Sequence, residues 1–315
     1  MQDFQNLAGL TAPLFLLVLI GYALSRFGGW PRTASDGLTR FVFSVAVPAF
    51  LFRLMSNFAK LPAVDPRLLL AFFGGCFIVF VLARVVARTA FRLDGVQQSV
   101  FGVGSVFSNT VLLGVPLAQV TLPPGAMPSM SLVIIFNSLV LWTLVTVSVE
   151  WSRHRDLSLA GFGRTALRVV LNPVIAGILA GTAWGFTGIE LPTVLDRTLS
   201  LVSEAAVPLS LIALGMGLAE YGTREGWRES VAITVLKLVA LPAVVWLLAR
   251  LLALPPMETQ AIVLLAAMPV GANVYLMSRQ FATLEGPVAT SLVLSTAIAA
   301  ATTPLTLALV AAAVP

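Results

Sequence analysis

An asparagine and a threonine inside an otherwise apolar segment are the first residues whose chemistry suggests binding. The segment reads GVGSVFSNTVLLGVPLAQV, and Asn109 and Thr110 lie just before a helix-breaking stretch at Gly114–Pro116. Amide and hydroxyl groups can exchange hydrogen bonds with a ligand at mid-membrane depth, but they also join helices, at ~0.6 kcal/mol per contact on average. Ligand binding and helix–helix contact are therefore both open for this pair.

A second segment, AIVLLAAMPVGANVYLMSRQ, combines similar residue types in Pro269, Gly271 and Asn273, for which a simple proline kink is the alternative. Asn137 lies among Ile, Phe, Ser and Leu, where an amide needs a partner. In hydrocarbon an unpaired backbone N–H or C=O is costly, so a broken helix survives only beside protein or a water-filled cavity. Breaks in both segments predict a cavity, and the half-helix N-termini there favour an anion.

Two charged residues, Glu204 and Lys237, also lie within apolar segments. Charged groups inside a membrane are functional candidates by default. They could pair with each other, couple proton movement or attract an anionic substrate, or either side chain could extend to the membrane interface.

Enzyme chemistry is poorly supported. The single histidine, His154, lies beside Arg153 and Arg155 in a central loop, where it can form neither a Ser-His dyad nor a metal site within the membrane. The sequence contains no HExxH or Walker A motif, and the single cysteine, Cys76, is expected to be a small buried apolar residue. We predict no catalytic residues, no metal and no cofactor.

The elements that position these residues follow from composition. The chain is 58% hydrophobic and 10% charged, against roughly 45 to 50% apolar and about 25% charged in soluble domains. A soluble domain is excluded, and scattered single basic residues argue against nucleic acid. At about 20 residues per span, the sequence predicts an all-α polytopic membrane protein with ten helices, at residues 8–27, 35–55, 67–91, 97–120, 128–150, 165–186, 194–219, 229–252, 257–281 and 287–312.

Charge distribution predicts the orientation. The first residues, MQDFQNLAGL, lack the basic start and cleavage site of a signal peptide, so the first helix is expected to be retained. Most Lys and Arg residues fall on the side of the 150–164 loop. The positive-inside rule places that side in the cytoplasm. The protein is thus predicted to lie in the inner membrane with both termini on the outer, non-cytoplasmic side.

The sequence also contains an internal repeat. Residues 11–55 align without gaps on 171–215, with thirteen identities among 45 positions, including Gly21 with Gly181 and Pro48 with Pro208. Each repeat carries an odd number of spans, so the second must enter the membrane from the opposite side. Residues 1–160 and 161–315 are therefore predicted to be two inverted five-helix repeats, a plan that recurs in secondary transporters with a site at the midplane.

The segment SNTVLLGVPLAQ at 108–119 resembles the signature of the auxin efflux carrier family, which includes plant carriers and bacterial malonate-type transporters. TRFVFSVAVPAFLF at 39–52, VSEAAVPLSLIALGMGLA at 202–219 and AIVLLAAMPVGANV at 261–274 are similar to other helices of that family. The resemblance thus covers nearly the whole chain.

This resemblance implies a fold like that of the bile acid symporters and sodium/proton antiporters. Helices one, two, six and seven would form a scaffold, through which a homodimer is possible. Helices three to five and eight to ten would form a mobile transport domain. Helices four and nine would cross at Pro116 and Pro269, and Asn109 and Asn137 would contact a substrate carboxylate. Glu204 corresponds to an acidic position in plant members.

The resemblance also bears on ion coupling. Ser108 and Asn109 resemble part of the sodium site of the symporters, but Ala267 and Met268 stand where an acidic ligand is expected. Without a carboxylate the charge of a hard cation is poorly compensated, which favours proton coupling or potential-driven uniport. The resulting expectation is an efflux carrier of small organic anions, and the alternatives are a sodium-coupled organic acid or bile acid symporter and a membrane sensor that moves nothing.

Overall fold

The computed structural model describes residues 2–57, 65–154, 173–220 and 226–313, and its regular structure in these ranges is helical. In chain order the helices are α1 (Gln2–Arg26), α2 (Arg32–Phe41), α3 (Val47–Met55), α4 (Arg67–Ala90), α5 (Gly95–Gly104), α6 (Val115–Thr121), α7 (Met127–His154), α8 (Pro173–Phe186), α9 (Thr193–Glu220), α10 (Trp227–Val235), α11 (Leu241–Leu251), α12 (Pro256–Ala267), α13 (Asn273–Gln280) and α14 (Glu285–Ala313).

Six helical stretches of the described chain are long and apolar enough to cross a membrane, which makes this a multi-pass membrane protein. They are Arg32–Met55, Arg67–Ala90, Pro124–Ser152, Thr193–Ala219, Trp227–Leu251 and Glu285–Val310. Ala12–Arg26, Thr110–Thr121 and Pro173–Phe186 are shorter apolar helices. The start of the predicted sixth span, 165–172, and most of the 150–164 loop lie outside the described residues.

Prolines explain three changes of helical pitch. Wide π-helical turns at Val42–Ala46, Thr110–Gly114 and Leu236–Ala240 each run directly into a helix with proline at its second residue. Proline lacks the N–H that the preceding turn would bond, and its ring clashes with the carbonyl four residues back. A wider turn absorbs that clash without ending the helix.

One group of helices is held together by close backbone contacts. Helix α1 packs along α9, α3 packs along α8, and α2 contacts α9. A Cβ placed on Gly21 would lie 2.1 Å from the Ile212 carbonyl oxygen, and one on Gly181 would lie 2.4 Å from that of Phe52. Both glycines and both partners are related by the same 160-residue shift that aligns the sequence. Two equivalent contacts therefore join this group.

The remaining helices form a second group that carries the interrupted segments. Helix α4 packs on α5 and α11, α5 packs on α7, and α14 contacts both α10 and α12. Fully buried Phe72, Phe101 and Leu117 lie in its interior. Cys76 is buried on α4, as predicted for a small apolar side chain.

Candidate functional site

Two interrupted helices provide the framework of the site. Helix α5 ends at Gly104 and helical structure resumes at Thr110, while α12 ends at Ala267 and α13 begins at Asn273. The sequence predicts the first break at Gly114–Pro116. The structure instead places it at residues 105–109, where the ψ of 70° at Asn109, with a φ of −76°, is not helical. Pro116 causes no break because the π-helical turn before it accommodates the ring.

The two breaks cross and pair through their backbones. The Asn109 N–H donates to the Pro269 carbonyl at 2.8 Å, and the Gly271 N–H donates to the Phe107 carbonyl at 2.9 Å, which gives an antiparallel bridge between Ser108 and Val270. Backbone groups released by the unwinding are thus satisfied by each other, as a membrane interior requires.

One further hydrogen bond and the close packing at Gly271 stabilise the crossing. The Val270 N–H donates to Ser295 Oγ on α14 at 3.1 Å. A Cβ on Gly271 would lie 3.0 Å from both the Ser108 carbonyl oxygen and Phe107 Cδ1. A side chain at this position would be a tight contact, so glycine suits the close approach of the two strands of backbone.

A cavity of about 440 Å³ opens beside the crossing. The predicted site residues that line it are Ser108, Asn109, Thr110, Asn137, Gly271 and Asn273. Pro116 and Pro269 are buried but do not line it, because Pro116 lies inside the helix and Pro269 contributes its carbonyl to the bridge.

The opposite wall of the cavity comes from the first group of helices. Its lining residues there are Thr39, Ser44, Pro173, Val174, Ile175, Ala213, Leu214 and Gly217. None of these residues was among the predicted site residues. Thr39 and Ser44, polar residues in an apolar span, carried a weak signal, and the others carried none because only the packing of α8 and α9 brings them here.

Three polar side chains of the cavity are buried and lack hydrogen-bond partners within the described residues. The atoms are Ser108 Oγ, Asn109 Nδ2 and Asn137 Oδ1, and the three residues are 1%, 6% and 2% exposed. Leaving a buried polar group unpaired costs about 1 to 3 kcal/mol. Their arrangement therefore suits a ligand that supplies both acceptors and a donor.

The described lining of the cavity is uncharged, and two helix N-termini lie at its wall. Its lining residues, all within the described chain, include no Asp, Glu, Lys or Arg. The helical turn at Thr110 and helix α13 at Asn273 both begin at its wall. Helix N-termini carry partial positive charge, so two positive ends face one neutral polar cavity.

The two charged candidates lie away from this cavity. Glu204 is exposed on α9 and its Oε1 accepts from Ser200 Oγ at 3.3 Å. Lys237 is fully buried, and its Nζ donates to the carbonyl of Ala266 at 2.6 Å, at the C-terminal end of α12. In the described structure these two side chains form no ion pair with each other. The prediction that they could pair is therefore wrong. The role of Lys237 as a helix cap has no signal in the sequence.

Comparison with known proteins identifies the family. A family model described as "Membrane transport protein" matches residues 8–307. The chain belongs to this auxin efflux carrier family. The resemblance predicted from the four sequence segments is thereby confirmed, and the chain is a transmembrane transporter of that family. Relatives named as a malonate transporter and an auxin efflux carrier are consistent with a protein that is not an enzyme.

Individual relatives of this carrier span most of its length. It is 26% identical to a Rhizobium meliloti protein named "Putative malonate transporter", over 94% of this chain and 93% of that one. It is 20% identical to auxin efflux carrier component 8 of Arabidopsis thaliana, over 89% and 90%. It is also 27% identical to the lysosomal cholesterol signaling protein of Mus musculus, over 72% of this chain but 28% of that protein.

Proposed function

We propose that this carrier moves small organic anions of the carboxylate class. The observation that carries the proposal is the cavity at the helix crossing. Among the described residues, Asn109 Nδ2 and Ser108 Oγ have no partners there, and the lining contains no charged side chain. A carboxylate would accept from these two donors, as in the charge-assisted bonds that hold anions in proteins. Asn137 Oδ1 would accept from a hydroxyl or a second, protonated carboxyl of the substrate.

Alternating access would follow from the division of the cavity wall. The scaffold would consist of helices α1, α2, α3, α8 and α9. The second group of helices, which contains the crossing, would form the transport domain. Because the domains meet at the cavity, sliding one past the other would expose the bound anion to each side in turn. The equivalent contacts of Gly21 and Gly181 support two inverted repeats of five spans, ten in all, and α1 and α9 would offer a dimer surface.

For the membrane, we propose the inner membrane with both termini outside, from the charge distribution. For energy coupling, we propose the membrane potential or protons rather than sodium, since the described lining of the cavity offers no carboxylate to a hard cation. An interior-negative potential supplies about 2.3 kcal/mol per charge per 100 mV, enough to drive export of a monoanion.

The test is uptake of radiolabelled malonate, succinate, lactate and indole-3-acetate into proteoliposomes, with proton gradient, sodium gradient and potential imposed separately. Asn109→Ala is expected to lose saturable flux. Asn57→Ala is the matched control, because Asn57 is exposed and outside the cavity. Sodium-dependent flux would instead identify a symporter of organic or bile acids.

A sensor that reuses the fold is the second candidate, favoured by the similarity to a protein named for cholesterol signaling. The two functions differ in turnover. A sensor would bind ligand without flux under every gradient, and would tolerate a cross-link that locks the two groups of helices together.

A further inference from the structure

A groove distinct from the cavity runs along the outer surface of α4 and α7. Its two parts have volumes of about 480 and 420 Å³ and share Phe77, Leu144 and Val147. Phe77 is 58% and Val147 43% exposed, so in a membrane the groove opens toward lipid.

One end of the groove is basic. It is lined by Arg84, Arg88, Gln98 and Trp151, and none of its lining residues in the described part of the chain is Asp or Glu. The Arg84 guanidinium donates to Ser148 Oγ and lies 6.0 Å from the centre of the Phe80 ring. Within the described residues neither arginine forms an ion pair. Two cations one helical turn apart are thus available to an anionic group.

The other end is apolar. It is lined by Phe73, Cys76, Leu139, Val140, Leu141 and Thr143 in addition to the shared residues. Arg88 and Phe73 are separated by fifteen positions on one helix, or about 22 Å at ~1.5 Å per residue. A single leaflet, headgroup included, is about 20 to 22 Å deep. The groove therefore has the length of one phospholipid, with its basic end where a headgroup would lie.

We propose that this groove binds an anionic phospholipid of the cytoplasmic leaflet. The phosphate would accept from Arg84 and Arg88, and Trp151 would lie at the headgroup level where amphipathic rings collect. One acyl chain would follow Phe77 and Val147 to Phe73. A soluble anion would use only the basic end, so the continuous apolar end selects a lipid. Because α4 and α7 belong to the group that carries the crossing, the lipid would remain with that group.

The experiment is native mass spectrometry of the full-length protein with phosphatidylglycerol or phosphatidylcholine as probe. The wild type is expected to retain phosphatidylglycerol at least about tenfold better, a difference of ~1.4 kcal/mol. Arg84→Gln/Arg88→Gln is expected to abolish that preference. Arg26→Gln/Arg40→Gln removes the same charge from exposed positions outside the groove and is expected to keep it.

Two further measurements distinguish a bound lipid from a soluble anion and from a folding defect. Inorganic phosphate at millimolar concentration should not displace phosphatidylglycerol, whereas displacement would show a simple anion site and overturn the proposal. If the double variant does not fold, Arg88→Gln alone should weaken retention and Arg88→Lys should restore it, because Arg88 is exposed. The proposal would also be overturned if the wild type retained both lipids equally, or if every variant kept the preference of the wild type for phosphatidylglycerol.

Discussion

Replacing Gly271 with alanine tests whether the backbone crossing holds the site together. Gly271 donates its N–H to the Phe107 carbonyl at 2.9 Å, and an added Cβ would lie 3.0 Å from the Ser108 carbonyl oxygen and from Phe107 Cδ1. A backbone oxygen cannot rotate away as a flexible side chain can. The two interrupted segments must therefore give by a few tenths of an ångström to accept the methyl group.

The expected cost combines two effects. Forcing a methyl group into a packed interior costs about 1 to 3 kcal/mol, and weakening one backbone hydrogen bond costs about 0.5 to 1.5 kcal/mol. A loss near 2 kcal/mol corresponds to a melting temperature lower by roughly 4 to 8 °C. The side chains of Ser108 and Asn109 also shift, so the apparent KM for the transported anion should rise.

The assay is thermal unfolding in detergent beside transport in proteoliposomes. Gly217→Ala is the matched control, because Gly217 lines the same cavity and a Cβ there meets no atom within 4 Å. We expect the control to melt like the wild type. Wild-type melting and transport for Gly271→Ala would refute the conclusion that close packing at the crossing favours glycine.

Three other substitutions address the site and the charged residues. Asn109→Asp places a negative charge at the proposed anion site, and saturable flux should fall at least about tenfold, a loss of ~1.4 kcal/mol; flux equal to wild type would remove Asn109 from the site. Lys237→Met leaves the Ala266 carbonyl without its 2.6 Å donor, and unfolding free energy should fall by about 1 to 3 kcal/mol; an unchanged melting curve would contradict the capping role. If Glu204 couples proton movement from its exposed position outside the cavity, Glu204→Gln should impair transport while the protein still inserts, and unchanged uptake in vesicles would exclude Glu204 from the mechanism.

Helix positions were largely predictable from the sequence. The predicted span 67–91 corresponds to Arg67–Ala90, and 194–219 to Thr193–Glu220. Apolar length and the placement of proline and glycine are local properties, and they decide where a helix begins and ends. The residue types that mark the site, Asn109 and Asn273, were visible for the same reason.

The location of the first helix break was not predictable. Pro116 pointed to Gly114–Pro116, but a π-helical turn absorbs that proline and the chain unwinds at 105–109 instead. Unwinding is tolerated only where the freed N–H and C=O groups find partners. Here the Asn109 N–H finds the Pro269 carbonyl, and the Phe107 carbonyl finds the Gly271 N–H. The second interruption, far away in sequence, therefore decides where the first can occur.

By itself, then, the sequence determined a membrane-embedded helical carrier, its internal repeat and the polar residues available for binding, because each depends on composition or spacing along the chain. Only the tertiary structure decided that Asn109 and Asn137 share one cavity and that Lys237 caps α12 without reaching Glu204. Such meetings depend on the packing of helices distant in sequence, where the energy of pairing a buried polar group is set by its neighbours and not by its own residue type.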